Sequence, residues 1–226
     1  MKIFFVAVFF IFNLSVFAEE IVISTFVTGE AYHVQNGKKN KLKVNTQIRE
    51  NDSVFTKKGK VDLQIGKNTA VRLVDNTDFS LKEFFENEKV SKTKIGTTQG
   101  NVFSKIIKPL NKDSSYSVES PTHVAGVRGT EFVFSSNDSD VGEGVYVNQG
   151  SVELEDKSSG QTETADSNEQ IVLTAKEMQK GLLADYMKEK MKIFKTLSVM
   201  KEENYKILKE QILKNQTLLE EAKNPK

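Results

Sequence analysis

Val61-Asp62-Leu63-Gln64-Ile65 alternates apolar with polar side chains, the period of a half-buried strand whose successive residues point to opposite faces. The same period recurs at Phe79 and Leu81, at Tyr116 and Val118, and at Val152 and Leu154. Turn signals punctuate these runs: Asn36-Gly37, Lys58-Gly59, Gly66-Lys67-Asn68, Asp75-Asn76, Asn137-Asp138 and Ser159-Gly160. Short strands at intervals of roughly 8 to 12 residues predict a mainly β body over residues 21–174, as a sandwich, a barrel or a solenoid-like roll. Lys82 to Lys89, KEFFENEK, lacks the alternation and reads as a loop or helical turn, with Phe84 and Phe85 closing one end of the core.

Further along, Ser120 to Phe134 reads SPTHVAGVRGTEFVF. Taken as one strand, it puts Arg128, Thr130, Phe132 and Phe134 on one face and Val127, Gly129, Glu131 and Val133 on the other. A guanidinium beside aromatics needs carbonyls or a carboxylate for its donors, because a buried unpaired charge is costly. Arg128 is therefore expected to crosslink neighbouring turns of the fold, with recognition of an acidic group on a partner as the alternative.

Pro121, Val127, Arg128, Gly129, Thr130, Glu131 and Phe132 resemble the signature of the FecR family. The resemblance extends from about Gly29 to Thr174. Upstream it takes in Asp52, Val54 and Thr56, then Gly59, Val61, Leu63 and Ile65; downstream, Val145, Val147, Gly150 and Val152. Asn51 and Glu169 depart from it, standing where glycine is common. The resemblance implies a compact roll of short strands and an exported binding and signalling module. Well-understood members are transmembrane anti-sigma regulators with a cytoplasmic helical segment and a periplasmic β domain. Here only Met1 and Lys2 precede the first apolar run, so the expectation is the outside half without the anti-sigma segment.

That run, Ile3 to Phe12, is shorter than the ~20 residues a membrane-spanning helix requires. Met1 to Ala18 reads as a secretory signal with cleavage before Glu19, an uncleaved anchor being the alternative. The chain has no cysteine, which removes a lipoprotein anchor and a disulfide framework. Residues 19–174 are expected to be the FecR-like β domain and 175–226 a helical, possibly coiled-coil, tail. The former holds 19 basic against 23 acidic residues; from Lys176 onward the balance is 12 against 8.

The tail is rich in helix formers, and its apolar residues fall in steps mostly of three or four. Leu183, Met187, Phe194, Leu197, Leu208, Ile212 and Leu219 mark the stripe, read as a long amphipathic helix or a helical pair broken near Ser198 to Asn204. One continuous helix would reach ~70 Å, more than the β body can cover. Folding back on the body, self-association and lying on a membrane are the three fates for the stripe. Deletion from Met178 is expected to leave a folded β domain; if the tail is instead a lid, Leu182, Leu183, Tyr186 and Phe194 are its anchors.

With His33 and His123 the only histidines, no transition-metal site of ordinary spacing can be drawn, and no nucleophile elbow or phosphate-binding loop is present. Asn137-Asp138-Ser139-Asp140 reads as a hairpin tip rather than a calcium loop. No catalytic, cofactor or metal residues are expected. The formal net charge of +1 and the lack of tryptophan argue against nucleic acid. The function expected is a non-catalytic protein-binding or signalling module, exported to the periplasm or cell envelope of a bacterium. It has no integral span once the signal is removed, and it meets an envelope protein partner or forms a homo-oligomer through the tail. The alternative is an envelope scaffold that oligomerises through the tail and binds glycan or cell-wall polymer.

Overall fold

The computed structural model describes residues 20–87, 89–107, 111–127, 129–174 and 177–223. The stretch read as a signal and Arg128 lie outside the described residues. Strands β1 (Val22–Gln35), β2 (Lys38–Lys41), β3 (Gln47–Ile48), β4 (Ser53–Ile65), β5 (Thr69–Leu73), β6 (Asp78–Glu86), β7 (Ser91–Gly96) and β8 (Gly100–Ile106) come first. Then follow β9 (Ser115–Glu119), β10 (His123–Val127), β11 (Glu131–Ser136), β12 (Gly144–Gln149), β13 (Ser151–Asp156), β14 (Thr162–Asp166), β15 (Glu169–Leu173) and β16 (Met178–Leu182). The chain ends in α1 (Asp185–Met191), a 3-10 turn at Lys192–Lys195, and α2 (Glu202–Lys223).

All the strands belong to one sheet, ordered β14-β13-β10-β9-β7-β6-β4-β5-β8-β11-β12-β15-β16, with β1 laid along β4 and carrying β2 and β3. Pairing is antiparallel except between β7 and β9. Strand β14 stands at one end of this ladder, yet only Ser167 and Asn168 separate it from β15 near the other, so the sheet is rolled on itself. Of the architectures the period allows, this is the roll.

Asparagines make many of the turns. Asn36 (φ 49°) and Gly37 (φ 74°) join β1 to β2 with two successive left-handed residues, which suits the twist of the flanking strands. Asn51, where the family resemblance leads one to expect glycine, sits at φ 68°. Its short amide side chain tolerates the left-handed region, so the turn keeps its glycine-like shape.

Inside the roll, Leu63, Leu73, Phe79, Leu81, Ile95, Val118, Phe132, Phe134 and Leu154 form the main core. A second core lies outside it. Asp62, Arg72, Phe103, Val133 and Tyr146 are successive partners across β4, β5, β8, β11 and β12, a row on the outer face. Leu183, Met187, Met191, Phe194 and Leu197 cover Phe103, Val133 and Tyr146, with the rings of Phe103 and Phe194 edge-on at 5.8 Å. Because both faces of β5 are covered, its five residues are all buried.

Three expectations are corrected. Lys82 to Glu86 is strand, not loop or helical turn: β6 runs to Glu86 and pairs with β7 beyond an irregularity between Leu81 and Glu83, which disrupts the alternation in sequence. Phe84 does pack on the core, but Phe85 is 51 % exposed. The tail is not helical from its start, because Met178–Leu182 forms β16 on β15. That strand buries almost nothing, so no apolar period announces it. Nor is the signature one strand: β10 ends at Val127 and β11 begins at Glu131, with Gly129 at φ 70° between them. The turn carries the chain from the β9–β13 region to the β8–β12 region, so Val127 joins Phe132 and Phe134 in the main core instead of facing away from them.

Helix α2 clamps the start of the described chain. The Tyr205 hydroxyl donates to the Ile21 carbonyl (3.1 Å) and accepts from the Ile21 amide (2.9 Å). Lys209 and Lys67 both pair with Glu20, at 3.0 and 3.1 Å. Burial pushes the Glu20 carboxyl up, but these hydrogen bonds outweigh it and hold it below its ordinary value. Nearby Glu86 accepts from the Lys67 amide at 3.1 Å, yet burial raises its carboxyl to about 7. A carboxyl raised on folding favours the native state while protonated, and that advantage is lost as pH climbs from the unfolded value through about 7. Glu86→Gln should therefore melt higher than the parent at pH 8 and alike near pH 4; equal melting curves at pH 8 would contradict the shift.

Candidate functional site

Val127, Thr130, Glu131 and Phe132 of the signature are placed to build the roll. Val127 and Phe132 are buried in the main core, and the Thr130 carbonyl accepts from the Ile106 amide at 2.9 Å. Glu131 pairs with Lys105 across β11 and β8 at 2.9 Å and accepts from the Asn148 amide on β12 at 2.7 Å. Lys105 also donates to the Phe194 carbonyl at 3.2 Å, so the signature glutamate is linked through one lysine to the tail. Lys188, Lys192 and Lys195, at one-face spacing, complete the cleft around that contact.

Pro121 lies at the opposite boundary, in a cleft of about 370 Å3 floored by Ser53, Ser80 and Gly96. Its wall is Glu119, bridged by Lys82 (2.8 Å) and Lys157 (3.0 Å). Burial raises the Glu119 carboxyl, but hydrogen bonds from the two lysines prevail and lower it. A side chain at Gly96 would meet the Lys82 stem at 2.4 Å, so glycine is what lets that lysine lie across the strand.

Of the tail stripe, Leu183, Met187, Phe194 and Leu197 are buried in the second core, Leu208 and Ile212 are half-buried, and Leu219 is exposed. Leu182 and Tyr186, the other anchors named for a lid, are 83 % and 47 % exposed. The stripe thus turns mostly inward. What remains open is the free edge of β16. Leu183 donates to the Asn168 carbonyl and Thr174 to that of Glu177, which fixes the ladder's phase. By the alternation of antiparallel pairs, Met178, Lys180 and Leu182 then point their backbone N–H and C=O groups away from β15. Burial left this edge unreadable in the sequence, since its residues are small, polar or exposed.

The histidines serve locally. His33 bonds buried Asp52 at 2.9 Å, and His123 bonds the Thr122 hydroxyl at 2.9 Å. Among the described residues no three His, Cys, Asp or Glu side chains gather as a metal site. The Asn137–Asp138 tip is the expected loop, with Asp138 accepting from the amides of Asp140 and Val141.

The described residues form a rolled β-sheet buttressed by a helical tail, with an open strand edge at β16 and clefts at Pro121 and at Lys105. Residues 52–153 match the family described as FecR protein. No curated protein sequence matches the chain. Two crystal structures of a candidate anti-sigma factor from Parabacteroides distasonis ATCC 8503 align with 58 % of this chain at 19 % identity, with TM-scores of 0.48 and 0.47. This chain spans about 59 % of the length of those structures.

Proposed function

We propose that this FecR-domain protein is a non-catalytic binding and signalling module of the bacterial cell envelope, and that it engages its partner by strand addition along β16. The observation carrying this is the free edge itself: outward backbone groups at Met178, Lys180 and Leu182, with the Leu182 side chain 83 % exposed beside them. An extended partner segment would satisfy these groups and cover Leu182, gaining affinity from main-chain hydrogen bonds and selectivity from the side chain. The FecR family match over residues 52–153 supports the signalling role, and the export expected from Met1 to Ala18 supports the envelope. No helix among the described residues is long and apolar enough to cross a membrane.

Lys180→Pro removes one outward N–H and no ladder hydrogen bond. It is expected to abolish capture of the partner by a photo-crosslinker placed at Leu182, with melting temperature nearly unchanged. Undiminished crosslinking in the folded variant would rule the edge out.

A further inference from the structure

Lysines concentrate at one corner of the roll. Glu30 of β1 is opposed by both Lys57 and Lys58 of β4, because Gly29 pairs with Gly59 on one side and Ala31 with Thr56 on the other. This bulge turns the two lysines out. The strands cross there so closely that a side chain on Gly29 would meet the Lys58 carbonyl at 2.0 Å. On the other edge of β1, Ala31 accepts from the Leu42 amide at 2.9 Å, which brings Lys41 and Lys43 alongside, and Lys38 and Lys39 follow on β2. Lys60 pairs opposite Thr28.

None of these seven lysines makes an ion pair among the described residues. Of the carboxylates nearby, Asp75 accepts from the Gly59 amide at 2.6 Å, and Asp62, opposite Phe26, is already paired with Arg72, leaving Glu30 among the lysines. Such a concentration in a body whose acidic residues outnumber its basic ones makes a strongly one-sided field.

Apolar side chains stand exposed in the same place. Phe26, two residues before Thr28, is 45 % exposed, and Val44, next to Lys43, is 49 % exposed. Ser24 draws their segments together, its hydroxyl donating to the Lys43 carbonyl (2.6 Å) and its carbonyl accepting from the Asn45 amide (2.8 Å). Beyond them Tyr32 and Phe55 stack at 5.2 Å, with the Lys39 ammonium 4.2 Å from the Tyr32 ring centre. Unpaired cations around exposed aromatic and aliphatic groups match an interface that is anionic outside and apolar just beneath.

We infer that this corner docks on an anionic phospholipid surface, the lysines meeting headgroup phosphates while Phe26 and Val44 enter the acyl boundary. The inference is independent of the β16 edge. The test is co-sedimentation of the chain from Glu19 with phosphatidylcholine vesicles containing or lacking about one-third phosphatidylglycerol. Binding is expected only with the anionic lipid, and to weaken as salt rises. Lys57→Ser/Lys58→Ser/Lys60→Ser should lower the partition coefficient at least about tenfold. Phe26→Ser/Val44→Ser should lower it by a similar factor, about tenfold, because its apolar contribution is not screened.

Lys92→Ser/Lys94→Ser/Lys112→Ser, which removes equal charge elsewhere, should leave binding unchanged. An equal loss in that control, or no sedimentation with anionic vesicles, overturns the inference. So does unaltered binding by Phe26→Ser/Val44→Ser together with equal affinity for soluble polyphosphate, which would make the corner a polyanion site.

Discussion

A chain ending at Leu182 is expected to lose its cooperative fold, reversing the expectation that the β body stands alone after deletion from Met178. Five side chains beyond that point, Leu183, Met187, Met191, Phe194 and Leu197, are buried against the outer face of the sheet. At about 1.5 to 3 kcal/mol each, their burial contributes at most ~8 to 15 kcal/mol, as large as the net stability of a typical domain. Truncation would also bare Phe103 and Val133, and release the clamp of Tyr205 on Ile21. Thermal unfolding and dye binding should show a broad transition and exposed apolar surface. A sharp transition in the truncated protein would mean that the roll completes itself and the second layer is dispensable.

How far the sequence disclosed this depended on what each segment buries. Val61 to Ile65 of β4 are all buried, but the outer-face positions Asp62 and Gln64 are polar, and β9 buries only Tyr116 and Val118, so period-two alternation marked both as strands. The signature at Ser120 to Phe134 located the FecR segment, yet it hid the turn at Gly129, because a glycine in an apolar run can signal close packing as easily as a change of direction. The lid anchors at Leu183 and Phe194 were legible from helical spacing. Leu182 and Tyr186 were not distinguishable from them, since local sequence does not say where β16 ends and α1 begins. Neither the lysine corner nor the β16 edge could be read. One is assembled by pairing residues 29–31 with 41–43 and 56–59, and the other is defined by which backbone groups the ladder leaves over.

Arg72→Leu is expected to cost about 3 to 5 kcal/mol, the second large effect. Arg72 grips Asp62 with two parallel hydrogen bonds, Nε to Oδ1 at 2.5 Å and Nη2 to Oδ2 at 2.6 Å, and both residues are only 8 % exposed. Its remaining nitrogen, Nη1, donates to the Thr196 hydroxyl at 3.0 Å, so the tail roofs the pair and keeps water from it. Removing the guanidinium leaves a carboxylate under that roof with its charge uncompensated, which is more costly than losing the attraction alone. Arg72→Lys should recover only part of the loss, because a single ammonium cannot reproduce the planar fork. The double change Asp62→Leu/Arg72→Leu removes both charges and should return stability close to the parent value in urea titrations. A double variant no better than Arg72→Leu would mean that the cost lies in the lost packing and the Thr196 contact. Recovery would show that the paired charges add little net stability and that the cost of Arg72→Leu lies in the carboxylate it leaves unpaired.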